Sequence, residues 1–146
     1  MAIKTRNVGV DVKKHKTMFN KSERKFVSKK LDNLKVGKVS PHAGLREFQR
    51  GITYSKDDFQ NDINFGNLIE IQHYEDGSTR YLFRSNKTLR GTKKGDANVV
   101  FVVMAKDGEV RSCWLNNVND HHETLDKTVY DENANIFEWL KGGKRK

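Results

Sequence analysis

With 146 residues, 35% hydrophobic and 32% charged, the chain is long enough to bury a core, and its single cysteine, Cys113, excludes an intrachain disulfide. One thiol without a disulfide framework suits a reducing compartment. No window reaches the roughly 20 apolar residues of a membrane span, and the N-terminus lacks a signal-peptide apolar stretch, so a cytoplasmic single-domain protein with no membrane partner is expected. The charge of +9 is one-sided: residues 1–39 hold twelve Lys and Arg against three acids, and residues 40–146 hold sixteen of each. Such asymmetry points to a polyanion-binding arm or patch with strongly salt-dependent association, a solubilising segment being the plainer alternative.

In chain order, residues 1–20 read as a basic arm, mobile or weakly extended, in which Val8, Val10 and Val12 alternate as in a short strand. Residues 21–141 read as one domain and 142–146 as a basic tail. Ser22 offers an N-cap, Phe26, Val27, Leu31 and Leu34 recur at helical spacing, and Gly37 can end the run. This predicts a basic amphipathic helix over 22–35, with Lys25, Lys29, Lys30 and Lys35 on its other faces. Ser40-Pro41 opens a second helix, with Leu45 and Phe48 on its apolar face and Gly51 as its stop. Ser55 caps a third, with Asp58 at the reciprocal capping position, Phe59 and Ile63 facing the core, and Gly66 closing it.

The period then changes to two. Residues 68–74 and 79–85 flank Asp76-Gly77, a two-residue hairpin signal. Residues 98–105 are too continuously apolar for an edge strand and are placed centrally, and Asp107-Gly108 turns into a strand over 109–115. Residues 85–97, polar and rich in Gly and Lys, read as an exposed loop. Asp131 caps a last helix with Ile136, Phe137 and Leu140 on one face. The expected fold is α+β: N-terminal helices packed on one face of a four-stranded antiparallel meander, with a C-terminal helix.

A two-residue turn at Asp76-Gly77 sets His73 opposite Arg80 and Ile69 opposite Arg84, gathering one histidine and two arginines on one face. Residue types of that kind suit metal-independent RNA cleavage. A base takes the 2′-hydroxyl proton, cations hold the charged phosphorane and an acid protonates the leaving oxygen. The plainer reading is a cross-strand surface set. Four-residue spacing likewise puts His42, Arg46 and Arg50 on one helix face, a phosphate site or a solvated surface. Lys87, Arg90, Lys93 and Lys94 form a basic loop that can meet a phosphate backbone. Tyr74, Tyr81 and Trp114 can stack on bases if exposed, and otherwise belong to the core. Asp120-His121-His122-Glu123 holds metal-ligand types, but adjacent residues rarely face one ion, so no metal is expected. Gly91-Thr-Lys-Lys-Gly95 fails the spacing of a phosphate loop. Cys113 reads as a small buried hydrophobe.

The pattern His42-Ala-x-x-Arg46-x-x-x-Arg50-Gly51-Ile52-Thr53, followed by a short helix, Gly66 to Glu70 and a hairpin, resembles a family of small domains related to RelE-type toxins. These are grouped with the barnase, EndoU and colicin ribonuclease folds. The resemblance covers residues 40–116. It implies the helices-then-meander fold and makes RNA cleavage, with tRNA or mRNA as substrate, the leading expectation. His42, His73, Arg46 and Arg84 would then be catalytic. Arg50, Arg80, Lys25, Lys29, Lys30, Lys87, Arg90, Lys93, Lys94 and Tyr74 would contact nucleic acid, and no cofactor is implied. The alternatives are a non-catalytic nucleic-acid-binding accessory protein and a small phage-type effector that binds and inhibits a host protein. An inhibitory protein partner would suit the toxin reading.

Overall fold

The computed structural model describes residues 9–39, 56–92, 95–119 and 129–141. Among these it is α+β, with one six-stranded antiparallel sheet and few helices. The strands are β1 (Val10–His15), β2 (Leu68–Tyr74), β3 (Thr79–Arg84), β4 (Leu89–Thr92), β5 (Gly95–Met104) and β6 (Val110–Asn117). The helices are α1 (Lys21–Asp32), α2 (Lys56–Asn61) and α3 (Ile136–Lys141). The expected helix at 40–51 lies outside the described residues, as do the tail and Asp120-His121-His122-Glu123.

Two strands exceed the expected meander. Residues 10–15, read as arm or strand, pair with β2 as β1. The supposed loop 85–97 contains β4, whose Leu89 pairs with Ala97 and Thr92 with Gly95. β5 is therefore central: β3 and β4 share one of its edges in succession and β6 takes the other. Its alternation feeds two faces. Val99, Phe101 and Val103 join the main core, while Val100 and Val102 join a smaller cluster with Leu82.

The main core gathers Val27 and Leu31 of α1, Phe59 of α2, and Ile136 and Leu140 of α3 against Ile71, Tyr81, Phe83 and Phe101. Phe59 packs edge-on against Phe101 with ring centroids 5.0 Å apart. Cys113 is buried on β6, as expected. Phe137, expected on the core face of α3, is instead 38% exposed and rests on Phe26 of α1 at 4.8 Å.

The N-cap of α1 is Asn20, two residues before the anticipated Ser22. Asn20 accepts from the Glu23 amide at 2.8 Å, and the Glu23 carboxylate accepts from the Asn20 amide at 2.8 Å, a complete capping box. Glu23 also faces inward and binds the buried Lys14 ammonium at 2.8 Å. That ammonium donates as well to the Ala134 carbonyl at 3.0 Å. After α1, the Gln60 side chain bonds Val36 N–H and Leu34 C=O and ties the segment to α2.

The first hairpin corrects the expected register. Tyr74 N–H donates to Ser78 C=O and Gly77 N–H to Tyr74 C=O, so the loop has three residues, Glu75 to Gly77, with Gly77 at φ +89. A type I turn followed by a left-handed glycine has this form. The slip pairs His73 with Thr79, Gln72 with Arg80, Ile71 with Tyr81 and Glu70 with Leu82. Because side chains alternate, a one-residue shift transfers a strand's face to the other side of the sheet.

Candidate nucleic-acid interface

The face-swap separates the expected catalytic cluster. His73 lies with Thr79 on the core side, its Nδ1 3.3 Å from the Thr79 hydroxyl and its ring stacked at 5.2 Å on Trp139 of α3. Arg80 lies on the opposite face, with its guanidinium 3.8 Å from the centroid of the Tyr74 ring. Its Nε is buried and has no hydrogen-bond partner among the described residues. Tyr74, half-buried under that guanidinium, therefore offers no open ring for a base. Burial pushes its hydroxyl above the ordinary tyrosine value, with Arg80 opposing the shift. Tyr81 is in the core at 2% exposure and cannot stack on a base, while Trp114 is partly buried against Leu82, Val100 and Val102. Arg84 sits at the far end of β3, where Nε donates to Asn98 and Nη2 to the Asn117 carbonyl, both at 3.0 Å. His42, Arg46, Arg50, Lys93 and Lys94 lie outside the described residues.

Glu70, one of the residues of the family resemblance, is fully buried on the Arg80 side. Its carboxylate accepts from Gln72 at 2.7 Å and from the Tyr130 hydroxyl, with the Lys13 ammonium at 3.5 Å. The Tyr74 hydroxyl continues the chain by donating to Gln72 at 2.9 Å. Charge and hydrogen bonds are thus satisfied within the fold, which is how a buried carboxylate is tolerated. Lys13 and Lys14 are spent in this way on internal acids, so the basic N-terminal quarter is less open than its charge count suggests.

What remains outward is α1. Lys21, Arg24, Lys25, Lys29 and Lys30 are all exposed on it, while of its two acids Glu23 is internal and only Asp32 is exposed. Lys21, Lys25 and Lys29 succeed one another at four-residue spacing along one stripe. Aromatic rings flank that stripe on both sides. On one, Lys16 and Arg24 lie 5.3 Å and 5.6 Å from the Phe65 ring. On the other, Lys30 lies 5.5 Å from Phe26, which carries Phe137. Lys16 also donates to the Phe65 and Gly66 carbonyls at 3.2 Å. Burial first, and then Arg24, hold its ammonium below the usual lysine value. The sequence carried a signal for this flanking, Phe26 one residue after Lys25 and Phe65 in a polar turn, but nothing local to say that the two rings border one helix.

Of the basic loop, Lys87 is half-exposed and paired with Asp58 at 3.5 Å, and Arg90 is exposed on β4. No group of three or more metal-ligand side chains occurs among the described residues, and no helix there is long and apolar enough to cross a membrane. The chain matches no protein-family model, no curated protein and no solved structure.

Proposed function

We propose that this protein binds RNA, holding the phosphate backbone on the exposed stripe of α1. The supporting observation is that stripe: five exposed cations on one short helix, bordered by Phe26 and Phe65, with its inward acid already neutralised by Lys14. Cations track phosphates without reading sequence, and the flanking rings hold Lys16, Arg24 and Lys30 in place beside the stripe. The RelE-like pattern over residues 40–116 favours RNA over DNA.

Cleavage of the bound strand is the second reading. It rests on the same pattern, with His42 as acid or base and Arg46 and Arg50 on phosphate. His73 contributes less to it than its sequence position suggested, because no arginine faces it across the hairpin.

Fluorescence anisotropy with labelled single-stranded RNA, tRNA and DNA of equal length, over a range of salt, tests both readings. Binding that weakens steeply with salt, and weakens further in Lys21→Gln/Lys25→Gln/Lys29→Gln, is expected. Affinity unchanged in that variant would remove α1 from the interface, and binding to none of the three would leave a protein partner as the better reading. RNA cut in the presence of EDTA, and left intact by His42→Ala, would add the enzyme to the binder.

A further inference from the structure

A cavity of about 510 Å³ opens at the end of the sheet where Arg84 lies, between the Gly66–Ile69 stretch and the Ser85–Thr88 connection. We infer that this cavity accepts one nucleotide of the strand held by α1, an inference that rests on the RNA-binding reading above. Its volume falls within the roughly 300–1,000 Å³ of small-ligand sites.

The wall chemistry is that of a nucleotide site. Arg84 and His15 both line it, and no Asp or Glu does so among the described residues. Arg84 is a fixed wall group: bonds to the Asn98 side chain and the Asn117 carbonyl orient the guanidinium fork before any ligand arrives. His15 is oriented too. Thr17 holds its Nδ1, through the backbone N–H at 3.3 Å and the hydroxyl at 2.9 Å, and Nε2 is buried, so the ring serves as wall rather than as a donor to the cavity. Leu68, Ile69 and Val118 supply apolar wall for a ring face, while Asn86 and Thr88, both exposed at the rim, supply donor and acceptor groups of the kind that meet base edges.

The cavity is also continuous with the basic stripe. Gly66, part of its wall, accepts from the Lys16 ammonium, and Lys16 shares the Phe65 ring with Arg24 of α1. A phosphate between α1 and the cavity would meet two cations already crowded together. The path from α1 past Phe65 to His15 and Arg84 thus runs from backbone contacts to a recess, the order in which a single strand is tracked and one of its nucleotides inserted.

The test uses the full chain. Uridine 5′-monophosphate, adenosine 5′-monophosphate, uridine and inorganic phosphate are titrated into labelled protein and followed by amide chemical shifts, and a labelled RNA 12-mer is followed by anisotropy with wild type and Thr88→Trp. The exposed Thr88 lets an indole fill the mouth without entering the core. Expected are shifts of the Gly66, Ser85, Asn86 and Asn98 amides with a nucleoside monophosphate, larger than with uridine or phosphate alone. Thr88→Trp should weaken the 12-mer at least tenfold while the salt dependence stays unchanged, because the phosphates on α1 are still neutralised. RNA that binds with the expected salt slope, but with nucleotide shifts confined to α1 and no effect of Thr88→Trp, overturns the cavity assignment and leaves the binding reading standing. Failure of RNA to bind at all, with a nucleoside monophosphate still shifting the cavity amides, overturns the binding reading and keeps the cavity as a mononucleotide site. Wild-type shift mapping decides the matter even if Thr88→Trp fails to fold.

Discussion

Replacing Lys14 by methionine isolates a buried charge whose cost follows from the geometry. Lys14 and Glu23 are 3% and 4% exposed, and their charged atoms stand 2.8 Å apart. At an effective dielectric of about 20, unit charges at that separation attract by about 6 kcal/mol, most of which offsets the removal of both ions from water. Lys14→Met leaves the Glu23 carboxylate inside without its cation, a change that costs about 3–5 kcal/mol. For a chain of this size that lowers Tm by roughly 6–20 °C. Lys14→Met/Glu23→Gln removes both charges, and glutamine at this helix position can still accept from the Asn20 amide as the glutamate does. The double variant should therefore be more stable than Lys14→Met alone. Urea denaturation of wild type, both single variants and the double variant gives the coupling directly. If the double variant loses the sum of the two single losses to within about 0.5 kcal/mol, the two groups act independently and the reasoning is refuted.

Gly108→Ala should destabilise by about 3 kcal/mol or more, since Gly108 has φ +75 and a Cβ there would stand 1.9 Å from the Lys35 carbonyl oxygen. A thermal melt within 2 °C of wild type would contradict this. For the α1 variant with three lysines removed, the slope of log affinity against log salt should be shallower by about 2, from roughly 0.7 per phosphate contact on a single strand, with circular dichroism unchanged. Tyr81 gives a pH prediction. Burial raises its phenol well above the ordinary tyrosine value, so its contribution to stability is complete below about pH 10, where the unfolded phenol begins to ionise, and is lost as pH rises toward the folded value. Tyr81→Phe should show a shallower alkaline loss of stability than wild type, and parallel curves above pH 10 would show that Tyr81 does not carry it.

Much of the architecture was legible because periodicity reports burial. The strands expected at 68–74, 79–85, 98–105 and 109–115, which match β2, β3, most of β5 and most of β6, the buried pair Phe59 and Ile63, and the basic helix all follow from it. Register was not legible. Asp76-Gly77 is a strong two-residue signal, but Glu75 joins the loop and Gly77 takes the left-handed position, which sends His73 and Arg80 to opposite faces. β4 escaped because Leu-Arg-Gly-Thr is short and buries only its two ends. Charge was misread for a different reason: composition counts Lys13 and Lys14 as surface cations, while their acids, Glu70 and Glu23, come from elsewhere in the chain. The Arg84 cavity had no sequence signal, since its walls unite residues separated by more than a hundred positions.

The backbone of Lys13 bonds Val129 and Asp131, at 2.9 Å and 3.0 Å, along the outer side of β1. A short late piece of chain therefore seals a strand rim laid down at the start, and the same piece delivers the Tyr130 hydroxyl to the Glu70 carboxylate. A ribosome releasing a chain that stopped short of residue 129 would yield a sheet whose outer strand loses its cover at the Lys13 N–H and C=O, and a Glu70 carboxylate short of one of its donors. Unpaired margins of that kind recruit other strands, so early termination should produce self-association rather than a smaller soluble domain.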